Sequence, residues 1–167
     1  MTKTQHNLEE AFAGESQANR KYLAFAKKAE KGGYPNVAKL FRAAAESETM
    51  HALKHLQVMG GIKDTEENLK VAIEGETYEK TSMYPQFIDE AKDEGETAAK
   101  VSFEHANEAE KVHAKLYEQA LEAVESGEDI PDTDYFVCEV CGFTVENEAP
   151  GKCPVCGAKK EKFKKIE

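Results

Sequence analysis

The sequence predicts an all-α four-helix bundle followed by a small four-cysteine metal domain of short strands and turns. Three observations carry that expectation. Residues 5–126 are rich in Ala, Glu, Lys and Leu and repeat their apolar residues at helical spacing. Breaks at Gly32-Gly33-Tyr34-Pro35, at Gly60-Gly61 and near Glu94-Gly95 divide that stretch into four. After Gly127 the composition shifts to a turn-rich segment, and all four cysteines fall in the last 30 residues. The expected boundaries are 1–127 for the helical domain, 128–134 for a linker and 135–167 for the cysteine domain. A chain of 167 residues has room for one ordinary core and a small appendage. An appendage of about 35 residues needs a metal or disulfide staple.

The first helix carries an apolar stripe at Leu8, Ala11, Phe12, Ala18, Tyr22, Ala26 and Ala29, and Glu15 occupies the next step of the same stripe. In the second helix Val37, Leu40, Phe41, Ala44, Val58 and Met59 form the stripe, with Glu48, His51 and His55 inside it. The third brackets Glu76 and Glu79 between Leu69, Ala72, Ile73, Met83 and Phe87. The fourth places Glu110 and His113 among Phe103, Ala106, Tyr117 and Val124. Any one of these glutamates reads as a solvated helix residue in a chain with 32 acidic side chains. Five carboxylates facing one core are different, because each unpaired buried charge costs several kcal/mol. Two divalent cations would offset four of the five charges.

Residues three apart on a helix point to nearly the same side, so Glu-x-x-His delivers an oxygen and a nitrogen ligand to one metal. Two such motifs, Glu48-x-x-His51 and Glu110-x-x-His113, plus a carboxylate from each remaining helix, make the ligand set of di-iron and di-manganese carboxylate bundles. Oxygen and imidazole ligands without thiolate suit iron or manganese, with zinc open on affinity alone. His55 is left outside the set as a core or outer-sphere histidine, and His6 and His105 are read as surface residues.

The helical half is also an internal repeat. Ala13-Gly14-Glu15-Ser16 overlies Glu74-Gly75-Glu76-Thr77 at an offset of 61, and Glu48-Thr49-Met50-His51-Ala52 overlies Glu110-Lys111-Val112-His113-Ala114 at 62. Two helical hairpins of similar design are expected to face each other with approximate twofold symmetry.

The formal charge of -10 argues against nucleic acid or an anionic membrane as partner. No apolar run follows Lys3, and none elsewhere approaches the roughly 20 residues of a membrane span, so a cytoplasmic protein is expected. In that compartment thiols stay reduced, which favours a metal over disulfides. Cys138-x-x-Cys141 and Cys153-x-x-Cys156, each followed by glycine, are two knuckles whose four thiolates suit a tetrahedral metal. Taken alone they read as a zinc ribbon. Beside an oxidisable metal pair, a one-electron iron centre makes better chemical sense.

Together the paired Glu-x-x-His motifs, Glu15, Glu76, Glu79 and the cysteine tail resemble the rubrerythrin family over nearly the whole chain. The resemblance implies a ferritin-like bundle holding two non-haem irons, and a rubredoxin-like domain holding one iron, with zinc possible as purified. It implies a peroxidase that reduces hydrogen peroxide to water in the oxidative-stress defence of an anaerobe or microaerophile. Its electrons would come from a rubredoxin or an NAD(P)H-dependent reductase. Carried over residue by residue, the di-iron ligands would be Glu15, Glu48, His51, Glu76, Glu79, Glu110 and His113, with Glu48 and Glu110 bridging, and the tail iron would sit on Cys138, Cys141, Cys153 and Cys156. Tyr22 and Tyr84 would hydrogen-bond to ligand carboxylates. Glu79 breaks the repeat, since Ala18 is its counterpart; in the family this glutamate exchanges with a histidine, here His51, as one iron changes oxidation state.

One departure has a geometric consequence. Helices of about 25 residues are roughly 38 Å long, whereas Gly60 to Asp64 spans only about 17 Å when extended, and many family members have a longer connection there. The chain must form a simple up-down bundle or exchange hairpins with a second copy. The exchange is expected, giving a homodimer whose di-iron sites combine helices one and two of one chain with three and four of another. The competing function is a ferroxidase or iron-sequestering ferritin-like protein with a structural zinc ribbon.

Overall fold

The structure, a computed structural model, describes residues 2–167. It divides into two compact units, Met1–Lys63 and Asp64–Glu167. In the first unit, helix α1 (Lys3–Lys31) opens on a capping box, with Thr2 Oγ1 accepting from the Gln5 N–H at 3.2 Å and Gln5 Oε1 accepting from the Thr2 N–H at 2.7 Å. Helix α2 (Pro35–Val58) begins on Pro35, whose missing N–H removes no helical bond at that position.

Alanine makes the seam between α1 and α2. Ala26, Ala38, Ala45 and Ala52 are all buried, and the last three recur every seven residues on one face. Such small side chains let two helices approach closely. Across the seam, buried Asn19 donates from Nδ2 to the Ala45 carbonyl and to Thr49 Oγ1, both at 2.7 Å. Of the larger residues of the expected stripe, Tyr22 and Phe41 pack across this hairpin, whereas Leu40 is 69% exposed and Val58 58%. The hairpin packs through its alanines together with the rings of Tyr22, Phe25 and Phe41, and leaves Leu40 and Val58 exposed.

In the second unit, Asp64 caps helix α3 (Thr65–Tyr78) by accepting from the Glu67 N–H at 2.9 Å, and Glu66 and Glu67 complement the positive helix end. Helix α3 does not end at Tyr78. It passes through a π-turn (Glu79–Met83) directly into helix α4 (Tyr84–Asp93), so the third expected helix is one rod with a bulge. Helix α5 (Thr97–Glu125) packs along α3 and α4.

The π-turn explains the change of repeat offset. Glu15 and Glu76 are 61 residues apart, whereas Tyr22 and Tyr84, Phe25 and Phe87, and Phe41 and Phe103 are all 62 apart. A π-bulge is a helical turn with one more residue in its hydrogen-bonded loop. The extra residue therefore falls where the helix is wound wider, in the segment that carries Glu79. On either side the repeat is kept in three dimensions. Phe25 and Phe41 pack with ring centroids 5.6 Å apart, Phe87 and Phe103 at 5.5 Å, and Tyr22–Phe41 and Tyr84–Phe103 at 6.2 and 6.3 Å.

Beyond α5, strands β1 (Tyr135–Cys138), β2 (Thr144–Glu146) and β3 (Phe163–Ile166) form an antiparallel sheet in the order β2-β1-β3, with Phe136 opposite both Val145 and Lys165. This is the small domain of short strands that the sequence predicts, and β2 lies against α5. No helix among the described residues is long and apolar enough to cross a membrane.

Candidate metal centres

In the first unit, α1 supplies Glu15 and α2 supplies Glu48 and His51, whose ligand atoms all lie within 4.8 Å of one another. His51 Nδ1 is 2.9 Å from Glu48 Oε2 and 3.8 Å from Glu15 Oε1. The two carboxyls compete for a proton: its hydrogen bond to Glu48, with burial, raises the pKa of Glu15, while the same bond and His51 lower that of Glu48. His55 stands outside the cluster, although its charge works to lower Glu15. His6 is exposed beside Glu10.

The second unit repeats the arrangement. Glu76 comes from α3, and Glu110 and His113 from α5, again with ligand atoms within 4.8 Å. His113 Nδ1 is 2.8 Å from Glu110 Oε2 and 3.6 Å from Glu76 Oε2. Burial, then the Glu110 hydrogen bond and the charges of Glu110 and Glu79, push Glu76 up to about 8. Its Oε2 is buried without a hydrogen-bond donor. Two carboxylates held together with one oxygen unsatisfied is an arrangement that a cation completes, so the residues present fit a metal. Glu79 on the π-turn is outside the tight trio but belongs to its field: burial and the Glu110 charge raise it, and His113 works against that shift. Tyr84 is raised by burial and then by Glu110, Glu79 and Glu76. Among the described residues neither Tyr84 nor Tyr22 hydrogen-bonds to a carboxylate; both are held by their phenylalanine neighbours.

The shift of Glu76 has a consequence for stability. Its folded pKa of about 8 lies above the unfolded value of 4.5, so between the two the folded state holds a proton that the unfolded chain has released. Stability of the metal-free protein is expected to fall as pH rises through that window, and metal uptake at neutral pH is expected to release protons. Melting temperatures of chelator-treated protein, and proton release on metal titration in weak buffer, check both. A melting temperature that climbs steadily across the window would contradict this reading.

The four cysteines are reduced and gathered at one point. Cys138 Sγ lies 3.7 Å from Cys156 Sγ and Cys141 Sγ 3.6 Å from Cys153 Sγ. These separations are far beyond a disulfide bond. They match the edges, about 3.8 Å, of a sulfur tetrahedron drawn about 2.3 Å from a central metal. Gly142 and Gly157 close the knuckles at φ +80° and +73°, where a side chain would be strained. Burial raises Cys141 and Cys156; for Cys153 burial is outweighed by the Cys156 and Val155 backbone N–H groups, and its pKa is lowered. Buried thiols with amides aimed at sulfur await a cation in place of protons.

Sequence reasoning missed Thr144. Its Oγ1 sits 2.9 Å from His113 Nε2, and no periodicity or motif signals a contact between residues 31 apart in different elements. The π-turn was also missed, although the one-residue change of repeat offset is its signature.

Comparison with known proteins agrees with this geometry. The family profile described as Rubrerythrin matches residues 6–121, and that of the rubrerythrin rubredoxin-like domain matches residues 136–164. Rubrerythrin-2 of Clostridium acetobutylicum is 38% identical, over 93% of this chain and 92% of the relative. Nigerythrin of Nitratidesulfovibrio vulgaris is 39% identical, over 96% of this chain and 85% of its own length. A solved structure of fully reduced, all-ferrous nigerythrin aligns with a TM-score of 0.58 at 33% identity, covering 99% of this chain and 88% of that one.

Proposed function

Since the chain belongs to the rubrerythrin family, we propose that it is a cytoplasmic non-haem di-iron peroxidase that reduces hydrogen peroxide to water with electrons delivered through its own four-cysteine iron. The observation that carries this reading is the presence in one chain of two Glu-x-x-His clusters, one with a buried carboxylate oxygen short of a partner, and of a thiol tetrahedron of metal-binding size. When bound, the iron pair supplies together the two electrons that hydrogen peroxide, taking up two protons, needs to become two waters, and the four-cysteine iron returns electrons singly.

In this proposal Glu15, Glu48 and His51 line one side of the metal pair and Glu76, Glu79, Glu110 and His113 the other, with Glu48 and Glu110 shared. Glu79 makes the two positions unlike. The His51 side chain is 53% exposed and Nε2 has no partner among the described residues, so only its contacts at Nδ1 restrain the ring, which would suit the exchange with Glu79 that the family resemblance implies. Tyr84, within the field of three ligand carboxylates, would donate to one of them in the loaded protein, and Tyr22 would do the same in the other repeat. A rubredoxin or an NAD(P)H-dependent reductase would supply electrons to the cysteine domain.

We further propose that the working form is a homodimer with exchanged hairpins. Only Met59–Asp64 separate α2 from α3, too short a connection to run the length of a bundle. The large apolar residues that α1 and α2 leave exposed, Phe25, Leu40 and Leu53 among them, are the surface that a second copy's α3, α4 and α5 would cover.

Stopped-flow spectra of the diferrous protein mixed with peroxide or with oxygen test the peroxidase reading. Reoxidation many-fold faster with peroxide is expected. Faster reoxidation by oxygen, with ferric iron accumulating beyond two per chain, is the result that a ferroxidase with a structural zinc ribbon would give.

A further inference from the structure

We propose that Thr144 is a positioning residue that holds His113 in its metal-binding tautomer and forms a non-covalent step linking the four-cysteine site to the carboxylate–histidine site of the same chain; the electron-transfer part rests on the function proposed above. Thr144 opens β2, two residues after the Cys138–Cys141–Gly142 knuckle, and is only 8% exposed. A hydroxyl so buried needs partners, and it has two, His113 Nε2 at 2.9 Å and the Gly142 carbonyl at 3.4 Å. The carbonyl can only accept, so the Thr144 proton goes to Gly142 and its lone pairs face His113. The imidazole then donates from Nε2, and at Nδ1, 2.8 Å from Glu110 Oε2 and 3.6 Å from Glu76 Oε2, a bound metal would take the place of the proton that the hydrogen bond to Glu110 holds.

The position of Thr144 is set by the cysteine knuckle itself. The Cys138 N–H donates to the Phe143 carbonyl at 2.9 Å, and the Gly142 N–H to the Cys138 carbonyl at 2.8 Å. From Cys141 the main chain reaches Thr144 through Gly142 and Phe143, and a single gap of 2.9 Å then crosses to His113. Beside this pair lies a cavity of about 380 Å³ lined by apolar residues including Leu116, Ile130 and Val137, a setting in which a hydrogen bond is stronger than in water. The repeat supplies an internal control: His51, the counterpart of His113, has no partner on Nε2 among the described residues. His113 is held at both ring nitrogens and His51 at Nδ1 alone. In the electron-transfer step the four-cysteine iron goes from ferrous to ferric as the ferric iron beside His113 becomes ferrous.

Thr144→Val keeps the shape of the side chain and removes the hydroxyl; Thr144→Ser restores it. In zinc-loaded, ¹⁵N-histidine-labelled protein, a slowly exchanging His113 Nε2–H resonance is expected in wild type and Thr144→Ser, exchanging about tenfold faster or lost in Thr144→Val. In iron-loaded protein, oxidised at the di-iron site with the cysteine iron reduced, transfer in Thr144→Val should slow by about tenfold, with the cysteine-site spectrum and metal content unchanged and Thr144→Ser within about twofold of wild type. Unchanged Nε2–H exchange in Thr144→Val, or transfer at the wild-type rate, would overturn the proposal. The zinc experiment involves no peroxide and the transfer experiment accepts any oxidant, so neither depends on whether the peroxidase reading holds.

Discussion

Mixing a Glu48→Ala chain with a Glu110→Ala chain is expected to restore peroxide turnover that neither chain has alone. The first variant lacks a ligand in its first unit, which holds Glu15, Glu48 and His51; the second lacks one in its second unit, which holds Glu76, Glu110 and His113. If hairpins are exchanged, a mixed dimer assembles one site from two damaged units and one from two intact units. Random reassortment makes half the dimers mixed, so about a quarter of wild-type activity per chain should return. If each chain completes its own site, every site in the mixture is damaged and nothing returns. Both substitutions remove a carboxylate from a crowded, like-charged cluster, so loss of folding is not the expected consequence. Co-refolding the two purified proteins with ferrous iron and assaying peroxide consumption checks it.

Cys156→Ser should separate electron delivery from peroxide chemistry. Its Sγ lies 3.7 Å from that of Cys138 and completes the tetrahedron. A serine oxygen is harder and sits on a shorter bond, so the visible iron–thiolate absorption should disappear. Turnover driven by a reductase should drop by about a hundredfold or more, since even outer partners of a metal site are worth 10–100-fold. The pre-reduced variant should still consume one equivalent of peroxide per iron pair in a single turnover. Losing that turnover as well would mean that the two sites do not divide the work as proposed.

Much of the site was legible because its ligands follow short-range rules. Glu48 and His51, and Glu110 and His113, are three residues apart, and any α-helix brings such residues to one side. The cysteine knuckles announce themselves by spacing in the same way. The seam of the first hairpin was less legible. The sequence offers both alanines and larger apolar residues at helical spacing; alanines are the buried residues where Asn19 reaches the Ala45 carbonyl, Tyr22 and Phe41 pack across the same hairpin, and Leu40 and Val58 stay exposed. Glu79 was visible as a break in the repeat, but not the π-turn beneath it, since winding is a property of backbone hydrogen bonds and leaves only a one-residue slip in the sequence.

By itself the sequence determined four helical rods, two carboxylate–histidine half-sets and a thiolate site, because helical periodicity and ligand spacing act over a few residues. Only the tertiary structure decided that Glu76 keeps a proton in the absence of metal, that the π-turn carries Glu79, and that Thr144 meets His113. Those depend on burial and on contacts between residues far apart in the chain. A carboxylate's proton affinity and a hydroxyl's partner are set by which surfaces close over them, and no local pattern records that closure.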